Sequence, residues 1–127
     1  METKLTEGLQ GKTERKVKYE DTAANYGSGK LEVLATPALV AIMENTALQS
    51  AEKFLPPGYN TVGIEISIKH IKATPIGGKV SCKSVLKTIE GNKLIFNIRA
   101  YDENGEIGKA SHSRFIVDIE RFMKKLE

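Results

Sequence analysis

The segment ATPALVAIMENTALQSAEKF, residues 35–54, is the one stretch of this chain that can form a long helix, and the rest must be arranged around it. Thr36 suits an N-cap and Pro37 suits the first helical position. The tandem Pro56–Pro57 followed by Gly58 cannot continue the helix. About four to five turns are expected between these signals. Val40, Ala47, Leu48 and Ala51 share a face, and Glu44 lies among them. Burying an unpaired carboxylate is costly. Glu44 therefore either stands at the edge of the stripe with its head in water, or has a partner or a task.

The remaining signals are extended. A first strand is expected within 11–23, with Val17 and Tyr19 on one face, and 25–35 reads as a loop broken by Gly27 and Gly29. Residues 61–73 alternate, with Val62, Ile64, Ile66, Ile68 and then His70 on one face. Strands follow at 78–90, 93–102 and 106–120, with the hairpin signal Asn104–Gly105 between the last two. One apolar helix among antiparallel strands is an α+β layout, a sheet wrapped around a central helix. No linker or repeat divides residues 1–127, so a single domain is expected, with 1–10 as a loose lead-in. One such layer leaves sheet edges to cover, which points to pairing of subunits.

Charge and composition narrow the function. The chain carries 19 basic and 16 acidic residues, a net charge of +3 without a dense basic block, which disfavours a nucleic-acid partner. No apolar run reaches the roughly 20 residues needed to span a bilayer, and METKLTEGLQ lacks the apolar core of a signal peptide. A cytoplasmic address and no membrane association are expected. Cys82, the single cysteine, falls in step with Val80 and Leu86 in a strand and reads as a buried thiol rather than a nucleophile. The two histidines and one cysteine do not make a metal-ligand set.

Three polar residues keep apolar company. Glu44 is one. His70 is the second, placed by alternation on the face turned to the helix; a lone inward histidine is also compatible with a satisfied core or strand-end position. Thr36 is the third; its hydroxyl either caps the helix or stands at the helix's positive end, where developing negative charge is stabilised. A carboxylate and an imidazole on facing surfaces would form an acid–base pair, each shifting the other's pKa.

These residues stand in LATPALVAIMENTA followed by TVGIEISIKHIKATPIGGKV, with intervals of 8 and 26. With GNKLIFNIRAYDENGEIGKASHSRFIVDIERF, the pattern resembles the hot-dog-fold thioesterases of the fluoroacetyl-CoA thioesterase-like family over roughly residues 11–123. The resemblance implies a hot-dog fold, a homodimer with sheets joined edge to edge, and acyl-CoA substrates bound near the subunit interface. It implies catalytic positions at Thr36, Glu44 and His70, and substrate-binding positions at Gly63 and Arg114. Gly63 would let backbone approach the acyl group. Arg114 would order the interface or meet the anionic half of the substrate, and His112 is read as structural. No cofactor beyond the coenzyme A of the substrate is implied, and no metal. The stretch YGSGKLEVLAT lacks the Phe residues that the fluoroacetyl-specific member uses as a lid. The expected reaction is hydrolysis of a short-chain acyl-CoA, with His70 as general acid and base and Glu44 as nucleophile or base; the alternative is an acyl-CoA-binding module that does not turn its ligand over.

Overall fold

The computed structural model describes residues 2–127. The chain runs β1 (Gln10–Lys16), a 3-10 turn (Tyr19–Asp21), α1 (Ala23–Tyr26), α2 (Thr36–Glu52), β2 (Tyr59–His70), β3 (Lys79–Glu90), β4 (Lys93–Asp102), β5 (Gly105–Asp118) and α3 (Ile119–Lys124). The strands form one antiparallel sheet in the order β1-β3-β4-β5-β2. Helix α2 crosses one face and buries Leu39, Met43, Ala47 and Ala51 in a core with Leu86, Phe96 and Ile98. This is the α+β arrangement expected. Among the described residues no helix is long and apolar enough to cross a membrane.

Three local expectations change. The first strand ends at Lys16, not at residue 23. Asp21 accepts from the backbone N–H of Lys18 at 3.0 Å and pairs with Arg15 at 2.6 Å, which folds the chain back into a turn. Thr22 then caps α1 by accepting from Asn25 N–H at 3.2 Å. At α2 the capping position is Ala35, and Thr36 is the first helical residue, so its hydroxyl is not spent on a cap. The buried stripe of α2 also lies one position round from the expected one. It runs through Leu39, Met43, Thr46, Ala47 and Ser50, leaving Val40, Glu44 and Leu48 as a half-buried ridge along its margin.

The most consequential difference is in β2. Gly63 pairs with Arg114 and Glu65 with Ser113, so Ile64 is an extra residue, a β-bulge. Parity reverses there. Thr61 and Gly63 face the helix before the bulge, and Ile66, Ile68 and His70 face it afterwards. The expected single row from Val62 to His70 therefore splits, and Ile64 is 52% exposed.

The two edges of the sheet differ in kind. β1 presents Lys12, Glu14, Arg15 and Lys16, charges that discourage further strand pairing. β2 carries fewer charges, with Val62, Ile64, Ile66 and Ile68 among Glu65, Ser67 and Lys69. Gly11, on the helix side of β1, allows a close approach: a Cβ there would lie 2.6 Å from Ser84 Oγ and 2.7 Å from Ser50 Cβ.

Candidate active site

The helix start and the end of β2 meet. Thr36 Oγ1 lies 2.8 Å from His70 Nδ1, so the two residues at opposite ends of a 34-residue separation share a hydrogen bond. The other ring nitrogen, Nε2, is buried and has no hydrogen-bond partner among the described residues. Leaving a buried polar atom unpaired costs about 1–3 kcal/mol, so such an atom marks a place for a ligand group or a proton in transit. Burial pushes the His70 pKa down from its ordinary value, opposed by the nearby backbone of Lys72. The imidazole is thus biased toward its neutral, proton-accepting form. The pair borders a cleft of about 300 Å³, walled by Ala23, Val33, Ala35, Ile71 and Ala73.

Glu44 belongs to a second cluster. Its Oε2 lies 2.9 Å from where a Cβ on Gly63 would stand, with His112 Cε1 at 3.2 Å and Arg114 Nη1 at 3.3 Å from the same point. Only a glycine at 63 leaves this carboxylate its place. Arg114 is 6% exposed. Its Nε donates to Thr61 Oγ1 at 2.7 Å, and its Nη2 to the Thr61 carbonyl at 3.1 Å. The Glu65 carbonyl, 2.7 Å from His112 Nδ1, can only accept, so Nδ1 carries the hydrogen and donates it in this bond. That leaves His112 Nε2 as the acceptor for Arg114 Nη1 at 3.1 Å, and the ring neutral. Burial lowers the His112 pKa first, and Arg114 lowers it further, against the Glu65 carbonyl and the Glu44 charge. Burial also lowers the Arg114 pKa, while Glu44 holds it up. The acidic group whose field reaches this buried guanidinium is therefore Glu44, although the two form no direct ion pair.

One chain therefore brings Thr36 to His70, and Glu44 to Gly63 and Arg114, but it does not bring the two clusters together. Thr36 and Glu44 are eight residues apart, about 12 Å along the helix axis. Gly63 and His70 stand about 20 Å apart along β2, at the usual rise per residue. Thr61 was not singled out in the sequence; a threonine at the start of a strand gives no signal of its link to an arginine 53 residues later. A larger cleft, about 640 Å³, lies on the other side of α2 against β1. Its acidic and basic groups are already matched, Arg15 with Asp21 at 2.6 Å, and it contains none of the residues above.

Residues 17–120 match the model of a protein family described as fluoroacetyl-CoA-specific thioesterase. The fluoroacetyl-CoA thioesterase of Streptantibioticus cattleyicolor is 34% identical over 95 residues, covering 75% of this chain and 68% of that protein. A solved structure of the fluoroacetyl-CoA thioesterase FlK superposes with a TM-score of 0.90 at 28% identity, over 96% of this chain and 95% of that one. A hot-dog-like protein from Thermanaerovibrio acidaminovorans shares the fold, with a TM-score of 0.87 at 22% identity over 94% and 89% of the two chains.

Proposed function

The chain belongs to the fluoroacetyl-CoA-specific thioesterase family of hot-dog-fold thioester hydrolases, and from that footing we propose that it hydrolyses a short-chain acyl-CoA to the free acid and coenzyme A. The observation that carries the reading is the buried, unpartnered His70 Nε2 held beside Thr36 at the mouth of a small cleft. Hydrolysis breaks the C–S bond, adds water across it and returns one proton to the leaving sulfur. A neutral His70 can take a proton from the attacking group and deliver it to the thiolate. Glu44 either attacks the carbonyl, giving an anhydride that water opens, or draws a proton from water that attacks directly. Thr36 fixes the ring and stabilises charge through its hydroxyl. Gly63 admits the substrate carbonyl close to backbone, and Arg114 orients Glu44 through the field they share. The cleft's alanines and valine favour a short acyl group, and no Phe or Tyr lines it.

The two clusters become one site in a homodimer. The free edge of β2 would pair antiparallel with its own copy about a two-fold axis. Antiparallel pairing near the middle of the strand runs the His70 end of one β2 toward the Gly63 region of the other. Glu44 would then face His70 of the partner subunit.

Both parts are tested together. Glu44→Ala and His70→Ala are each expected to lower acyl-CoA hydrolysis by about a hundredfold or more. Mixing and re-equilibrating the two inactive chains should then restore about a quarter of wild-type activity, because half the dimers are mixed and each holds one intact site. Wild-type rates in both single variants defeat the catalytic assignment. Loss in each variant with no recovery on mixing defeats the shared site.

A further inference from the structure

The register of the sheet lines up five cations that are scattered in the sequence. Lys12 stands opposite Lys83, Lys83 opposite Arg99, Arg99 opposite Lys109, and Lys109 opposite Lys69. All five are exposed on the face of the sheet turned away from α2. Like charges directly opposite one another destabilise a sheet, so such a row calls for something to neutralise it. Part of it is neutralised within the chain. Arg99 pairs with Glu106 at 2.5 Å, Lys12 approaches Glu14 at 3.9 Å, and Lys83 lies over the Tyr101 ring at 5.9 Å. Lys109 and Lys69 have no acidic partner among the described residues.

The next row on the same face is Asn97, Ser111 and Ser67, again in register. These three and Arg99, Lys109 and Lys69 line a shallow cleft of about 350 Å³ with no carboxylate in its lining. Three cations beside two hydroxyls and an amide are the donor set that phosphate oxygens require. No aromatic side chain lines the cleft, so it offers no stacking platform for a run of bases. We propose that this face of β2, β5 and β4 binds the phosphate groups of a small phosphorylated ligand. The position suggests which one. Lys69 precedes His70, and strand alternation sends their side chains to opposite faces at the end of β2. A coenzyme A thioester with its carbonyl at His70 would pass its pantetheine arm over Ile71–Ala73 and reach Lys69 and Lys109 with its phosphates. That source rests on the thioesterase reading; a free phosphorylated compound is the other source of the same chemistry.

The test is the Lys69→Ala/Lys109→Ala double variant, whose substitutions are exposed and outside the catalytic clusters. Two kinds of measurement separate the sources. KM is measured for an acyl-CoA and for the matching acyl-N-acetylcysteamine thioester, which lacks phosphates. Binding of inorganic pyrophosphate is measured by calorimetry. Expected are a rise of about tenfold in KM for the acyl-CoA alone, with kcat kept, and weaker pyrophosphate binding; exposed charge pairs of this kind justify that scale. The Lys69→Arg/Lys109→Arg variant should restore both. Weaker pyrophosphate binding with unchanged KM assigns the site to a separate phosphorylated compound. Unchanged KM together with unchanged pyrophosphate binding overturns the proposal, as does an equal rise in KM for both thioesters. If wild-type protein turns over no thioester, the thioesterase reading fails and the pyrophosphate measurement still decides this one.

Discussion

Gly63→Ala isolates the placement of the Glu44 carboxylate from the stability of the fold. The new Cβ would stand 2.9 Å from Glu44 Oε2, against the 3.4 Å at which ordinary contact begins. Glu44 must therefore retreat by about half an ångström or swing away, since His112 at 3.2 Å and Arg114 at 3.3 Å close the other sides and are fixed by their own hydrogen bonds. Misplacing a catalytic group by about 1 Å can cost about a hundredfold, so a loss of ten- to a hundredfold in kcat is expected. Stability should hardly move. Gly63 is not in a left-handed conformation, the atom displaced is the end of a flexible side chain, and alanine removes about 0.4–1 kcal/mol of unfolded-chain freedom. The assay is steady-state release of coenzyme A, followed with a thiol reagent, beside thermal unfolding of the same preparation. A variant with wild-type kcat would refute the view that this glycine exists to seat Glu44. A large drop in Tm would instead show that the cluster is a packing element.

Two further outcomes follow from the packing and from the histidines. Gly11→Ala forces a Cβ to within 2.6 Å of Ser84 Oγ, 2.7 Å of Ser50 Cβ and 3.0 Å of the Thr46 carbonyl, so chemical denaturation should show a loss of about 1–3 kcal/mol; an unchanged midpoint would mean that β1 simply moves aside. His70 and His112 both titrate below the ordinary 6.5, so as pH falls through 6.5 the unfolded chain takes up protons that the folded chain refuses. Stability should therefore be complete above that value and decline below it, while the Asp21 contribution, from a carboxyl held low despite its burial, persists until pH falls past 3.8. A Tm that rises as the buffer goes from pH 7 to 5.5 would contradict this.

Much of the architecture could be read before any coordinates. Pro37 and the Pro56–Pro57 pair bracket a helix that runs Thr36–Glu52, and Asn104–Gly105 turns the last hairpin. The intervals between Thr36, Glu44 and His70 carried the resemblance to the family. What alternation could not supply was the bulge at Ile64. Val62 and Ile64 are as apolar as the residues that continue the row, and only pairing with β5 shows that the face has changed. The alternation of Val17 and Tyr19 extends the first strand past Lys16, where the structure keeps only a strand-like pair of backbone bonds between Val17 and residues 77 and 78. Helix periodicity put Glu44 within the apolar face, but the margin of a helix is set by how its neighbours wrap it. The row of basic residues on the outer face is invisible in sequence, since positions 12, 69, 83, 99 and 109 meet only through register.

The extra residue in β2 also sets what can be changed there. Exposed strand residues usually tolerate deletion at a bulge, where the partner strand has nothing to lose. Ile64 is such a residue: Gly63 stands opposite Arg114 and Glu65 opposite Ser113, so β5 commits no residue to it. Deleting it would leave Thr61 and Gly63 facing the helix, Glu65 facing out, and Ile66, Ile68 and His70 facing the helix, an unbroken alternation in the same register with β5. Both ends of the chemistry are thus held by the pairing of β2 with β5 and not by the count of residues between them, and a chain one residue shorter here should keep Gly63 beside Glu44 and His70 beside Thr36.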